Sequence, residues 1–126
     1  MFTHVMVGSN DLPRSKSFYD AVLGALGVPA GYDGGTRIFY SGCSGGAFAV
    51  GTPINGEAAS HANGGTIGFG ASDKEAVDAF HAAGLANGGS CDGGPGLRAS
   101  PSGKAYGAYL RDPDGNKLCA FTQLKD

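Results

Sequence analysis

Three histidines, three cysteines and a few arginine and tyrosine side chains carry most of the chemistry open to this chain. His4 lies between Phe2 and Met6 in a stretch where apolar residues alternate with polar ones. An imidazole there suits a general base near neutral pH, a hydrogen bond to an anionic ligand, or a purely structural role. His61 falls in a polar, glycine-rich segment and His81 beside Phe80 on a helical flank, so both read as solvated or partly packed rather than as ligands. Cys43, Cys91 and Cys119 are odd in number and form no CxxC pair, which argues against a disulfide framework or a thiolate zinc knuckle and for reduced thiols. Cys119 becomes a nucleophile only beside a cation or imidazole, and the pattern places none there; a packed, inert thiol is the expectation. Arg98, closing Gly93-Gly94-Pro95-Gly96-Leu97, and Tyr106 offer a guanidinium and a phenol able to orient a carboxylate or carbonyl. Arg98 equally suits fixing its own loop through backbone carbonyls.

Elements must hold these groups. Phe2 to Val7 alternates as a strand and stops at Gly8-Ser9-Asn10. Asp11 then caps a helix over about 12 to 25, with Pro13 in its first turn and Leu12, Phe18, Tyr19, Val22, Leu23 and Leu26 at helical spacing. Two β-like stretches, Thr36 to Ser41 and Ala47 to Gly51, flank a hairpin connection over Gly42 to Gly46, and 54–63 reads as a linker between modules 1–53 and 64–126. The order then repeats. Thr66 to Ala71 alternates, Ser72-Asp73-Lys74-Glu75 offers a capping box before Ala76, Val77, Phe80 and Ala83, and Asn87-Gly88-Gly89 ends that helix. After a less regular glycine-rich segment come a strand from Ala105 to Arg111, the turn Asp112-Pro113-Asp114-Gly115, and a last strand from about Lys117 to Phe121.

A shift of 62 positions superposes strand on strand and helix on helix, with Asp11 on Asp73, Phe18 on Phe80, Ala21 on Ala83, Leu23 on Leu85 and Gly27 on Gly89. Each half reads βαβββ. Neither short sheet buries a face alone, so the expected fold is α+β, two βαβββ modules forming one curved mixed sheet, a cup with helices outside. Along Thr66 to Ala71, Gly68 and Gly70 share the face of Thr66 while Ile67 and Phe69 share the other, which leaves the cup side nearly bare and suits a small-molecule cavity.

Composition sets the outer bounds. The chain has 126 residues, 41% hydrophobic and 16% charged, enough for one domain with its own core. Nine basic against eleven acidic residues give a net charge of -2, with no basic cluster, which excludes the electrostatic footprint of a nucleic-acid binder. No apolar run nears the ~20 residues of a membrane helix, and no basic-then-apolar leader opens the chain, so it reads as a soluble cytoplasmic protein with no membrane partner.

His4-Val5-Met6-Val7 followed by Asp11-Leu12 and Phe18-Tyr19, then Thr66-Ile67-Gly68-Phe69, Ala76 to Phe80, Gly93 to Arg98, and Tyr109-Leu110-Arg111-Asp112-Pro113-Asp114-Gly115-Asn116 resemble the glyoxalase/bleomycin-resistance/dioxygenase, or vicinal oxygen chelate, superfamily across almost the whole chain. Metal-dependent members hold an octahedral divalent ion with residues from the first and last strand of each half, usually histidine and glutamate. His4 falls on the first of these positions; Thr66, its repeat mate, Cys119 and Phe48 fall at or near the other three. Such a set is poor for zinc, nickel, manganese or iron, so no cofactor is expected and His4 would be the metal residue only if a metal were bound. The resemblance also points to Arg37, Tyr40 and Phe48, on strands where relatives contact substrate, and to a homodimer. The preferred expectation is a metal-free small-molecule-binding protein; the alternatives are a lyase of the lactoylglutathione-lyase kind or an extradiol-type dioxygenase, with a divalent metal or His4 as base. An accessory protein with a vestigial cup is a third.

Overall fold

The computed structural model describes residues 1–42, 45–101 and 103–124. Its elements run β1 (His4–Gly8), α1 (Leu12–Ala25), β2 (Tyr32–Asp33), β3 (Arg37–Ser41), β4 (Ala47–Gly51), β5 (Ile67–Gly70), α2 (Lys74–Ala86), β6 (Ser90–Ser100), β7 (Gly103–Arg111) and β8 (Lys117–Gln123). The α+β expectation holds: each half is a βαβββ unit. The strands pair into two four-stranded mixed sheets, ordered β1-β4-β3-β2 and β5-β8-β7-β6, with β1 parallel to β4 and β5 parallel to β8. The hairpin of β3 and β4 pairs as expected, Phe39 opposite Ala49 and Tyr40 opposite Phe48; Cys43 and Ser44 of its connection lie outside the described residues. No helix among the described residues is long and apolar enough to cross a membrane.

Both helices start where a carboxylate meets orphan amides. Asp11 Oδ1 accepts from the Arg14 amide at 3.1 Å, and Asp73 Oδ1 from the Ala76 amide at 2.8 Å, so Asp73 rather than Ser72 is the cap of α2. α1 ends at Leu26-Gly27, where Gly27 takes φ +89°, a conformation that favours glycine, and the Val28 amide reaches back to the Leu23 carbonyl at 2.9 Å.

Phe18, Tyr19, Val22 and Leu23 recur at helical spacing and are wholly or almost wholly buried, as are Val77 and Phe80 on α2. The helices lie against each other, and one core cluster joins Phe18 and Tyr19 to Ile38 and Val50 of the first sheet and to Phe80, Leu110 and Leu118 of the second half. Each sheet thus presents one face to the helix layer and leaves the other open. Gly84 makes the close approach of α2 to the second sheet, since a methyl group there would collide with the buried Leu110 side chain.

Candidate functional site

Strand register divides the site residues between the two faces of each sheet, because laterally paired residues share a face. In the first sheet Met6, Ala49, Phe39 and Tyr32 form one row across β1, β4, β3 and β2. Tyr40 and Phe48 belong to the opposite face: the Phe48 ring centroid lies 4.9 Å from that of Tyr19 on α1. The open face therefore carries His4, exposed with its Nδ1 2.9 Å from Thr3 Oγ1, together with Met6, Phe39 and Arg37.

In the second sheet Gly68, Cys119 and Tyr109 form the equivalent row. A Cβ at Gly68 would meet Cys119 Sγ, so the glycine face and the thiol share the open side, while Ile67 and Phe69 pack toward the core, as the alternation predicts. Around the Tyr109 ring stand Arg98, 5.9 Å from its centroid, and Lys117 at 5.0 Å; Arg111 and Lys117 both reach Asp92, at 3.0 and 3.5 Å. Arg98 Nη2 donates to the Gly94 carbonyl at 2.8 Å, the loop-fixing contact weighed from the sequence. Burial pushes the Cys119 thiol up, against a smaller opposing pull from Lys117, so it stays protonated near neutral pH.

The expected site residues thus separate. His4 and Arg37 stand on the open face of the first sheet, Arg98 and Cys119 on that of the second, and Thr66 is exposed just before β5. Tyr106 turns to the helix side, where its hydroxyl donates to Asp78 Oδ1 at 2.6 Å. His61 stands against the Gly115 turn. Among the described residues no three His, Cys, Asp or Glu side chains converge as a metal group would require. The donors at the four positions where the resemblance implies a divalent ion are one imidazole, one hydroxyl and one thiol, and Phe48 faces the helices; by register the first-sheet counterpart of Cys119 is Ala49. That set does not fit an octahedral ion.

What does converge is an apolar cleft of about 490 Å³ along the seam of the two modules. Leu23, Leu26 and Val28 from the end of α1, Tyr40 and Phe48 from the first sheet, and Ile67 and Phe69 from β5 line it; Met1, Phe2 and Val5 lie at it too. Phe48 and Phe69 meet edge to face at 5.3 Å, so the cleft wall joins both halves. Gly42, Gly45, Gly46, Gly68 and Gly70 bring backbone to its lining, and the hydroxyl of Tyr40 donates to Asp20 Oδ1 on α1 at 2.7 Å. Burial first, then that hydrogen bond, pushes the Tyr40 phenol far up, so it is a neutral donor at physiological pH. Tyr40 and Phe48, singled out from the sequence as substrate-contact candidates, lie at this cleft, as do Leu26, Val28, Ile67 and Phe69, whose sequence pattern is that of ordinary core residues.

The comparisons with known proteins agree with this architecture. The model of the Glyoxalase/Bleomycin resistance protein/Dioxygenase superfamily matches residues 1–120. A crystal structure of a glyoxalase/bleomycin resistance protein from Albidiferax ferrireducens T118 is 56% identical, covers 98% of this chain and 99% of that one, and superposes with a TM-score of 0.93. A glyoxalase-related enzyme from Fulvimarina pelagi, at 20% identity, 98% and 88% coverage and a TM-score of 0.74, shares the fold. So does a lactoylglutathione lyase from Agrobacterium tumefaciens, at 24% identity, 96% and 92% coverage and a TM-score of 0.62. No curated protein matches the chain. With two βαβββ units, helices on one face of each sheet and a family match over nearly the full length, the chain belongs to the glyoxalase/bleomycin resistance protein/dioxygenase superfamily.

Proposed function

We propose that this protein binds a small apolar or aromatic molecule, without a metal, in the cleft between its two modules. The carrying observation is the cleft itself: its volume of about 490 Å³ lies within the ~300–1,000 Å³ of small-molecule sites, and apolar walls with a few fixed polar groups are the usual lining. Phe48 and Tyr40 keep the ligand-contacting role expected of them, on the helix side of their sheet rather than in the cup. A planar ring would stack near Phe48 and Phe69 while backbone amides at the glycines orient a carbonyl.

The test is thermal melting against a panel of aromatic and short acyl compounds. A ligand at a hundred times its dissociation constant adds about 2.7 kcal/mol to the folded state, a shift of several degrees. Val28→Trp, which fills the cleft from its rim, should leave the unliganded melt near that of the parent and abolish the shift. A panel without effect, or a shift indifferent to Val28→Trp, overturns the reading. Nickel, zinc, manganese or ferrous iron should not raise the melting temperature; a metal-dependent rise lost in His4→Ala would replace binding with lyase or dioxygenase chemistry.

A further inference from the structure

A second site lies away from the cleft, where α2 meets the edge strand β6. Cys91 pairs laterally with Leu110, whose side chain is buried against α2 at Gly84, so the thiol also faces the helix layer; at the sheet edge it remains exposed. His81, on the third turn of α2, brings Nε2 to 3.2 Å from Cys91 Sγ. The Gly93 amide donates to the same sulfur at 3.4 Å, which the bulge between Cys91 and Gly93 makes possible. Neither Cys91 nor His81 lines the cleft.

We propose that Cys91 is a reactive thiol, that His81 is the base that takes its proton, and that the pair adds to soft carbon electrophiles of the α,β-unsaturated carbonyl class. Thiol and imidazole within hydrogen-bond reach, with a backbone donor on the sulfur, are the parts of an activated nucleophile. The surroundings keep the base available. Burial lowers the pKa of His81 and the neighbouring Asp78 carboxylate opposes it more weakly, leaving the imidazole neutral at physiological pH and able to accept at Nε2. Asp78 is itself engaged by the Tyr106 hydroxyl from β7, and Lys74 stands over the Tyr106 ring at 5.6 Å. Asp92, next to Cys91 in sequence, has its carboxylate taken by Arg111 and Lys117.

The addition balances without a co-reactant. The S–H proton passes to Nε2 as Sγ bonds the β-carbon; the alkene π pair moves onto the carbonyl as an enolate; the imidazolium returns a proton to the α-carbon, leaving a thioether and neutral His81. No leaving group departs, and nothing is oxidised.

Acrylamide is a suitable probe, with the rate at each cysteine read from peptide masses after digestion of the full-length protein. Cys91 should be modified faster at pH 7 than the same cysteine in a peptide of residues 88–94, and its rate should climb as His81 loses its proton, below the ordinary imidazole value of about 6.5. His81→Gln should slow Cys91 about tenfold at pH 7 and move the climb to the alkaline side; buried Cys119 should stay protected, showing that the variant is folded. An unchanged Cys91 rate and pH profile in a folded His81→Gln variant overturns the proposal. Should that variant not fold, unaltered protein and peptide are compared directly, and coincident rates and profiles overturn it just as well.

Discussion

Among the described residues the Asp112 carboxylate accepts four hydrogen bonds: the Tyr19 hydroxyl at 2.5 Å, the Asp114 and Asn116 amides at 2.9 Å each, and Asn116 Nδ2 at 2.8 Å. The same Asn116 amide group reaches the Gly8 carbonyl at 3.3 Å, and Arg14 bonds Asp114 at 3.0 Å, so the last turn of the second module is bolted to β1 and α1 of the first. Burial, then the Asp112 charge, pushes the Tyr19 phenol far up and keeps it a donor. Tyr19→Phe removes one donor from a buried carboxylate and should cost about 1–3 kcal/mol, seen as a lower urea midpoint at unchanged slope; an unchanged midpoint would deny the latch its strength. Both ends of this contact were legible in the sequence, one as a turn and the other as part of a helix face. Their meeting across 93 positions was not, because no local pattern records which helix a turn will touch. For the same reason His81 and Cys91 read separately as a flank histidine and one of three reduced thiols.

At the level of elements, Asp20 ties α1 to the chain that returns beneath it. Burial opposes its charge, but the Gly31 amide at 2.9 Å, Lys16 at 2.6 Å and the Tyr40 hydroxyl at 2.7 Å outweigh that and hold its pKa below the ordinary value. A carboxylate depressed in the folded state stabilises above its unfolded pKa and loses that contribution as pH falls through the folded one. Urea stability should therefore decline as pH drops below about 4, and less steeply in Asp20→Asn; equal slopes would show that Asp20 is not linked to folding. Both helices were legible nearly to the residue, because caps and 3.6-residue periodicity are local signals. β6 was not: Gly93, Gly94, Pro95 and Gly96 erase alternation, and the strand exists through pairing with β7, interrupted by two register shifts. Beside it Gly107 lies under the Phe121 ring, where any side chain would collide. β2, two residues long, left no pattern to find.

Across the whole molecule the two halves share one core and have few means of standing apart. Phe18 and Tyr19 pack into the same cluster as Phe80, Leu110 and Leu118, and Phe48 meets Phe69 across the seam. Far-UV circular dichroism and tyrosine fluorescence should therefore follow a single urea transition, the helices reporting on both halves and Tyr19 on their junction. Separated midpoints, with helix persisting after the tyrosine signal is lost, would mean that one half outlives the other. The Asp112 latch also bears on how such chains are recognised. Phe18-Tyr19 and Asp112-Pro113-Asp114-Gly115-Asn116 announce kinship most clearly in the sequence, yet they work as rivets between duplicated halves and do not themselves line the cleft. Ancestry is written in the rivets and vocation in the walls, so descendants can keep the first while trading the second, and a shared signature predicts a shared chassis rather than a shared trade.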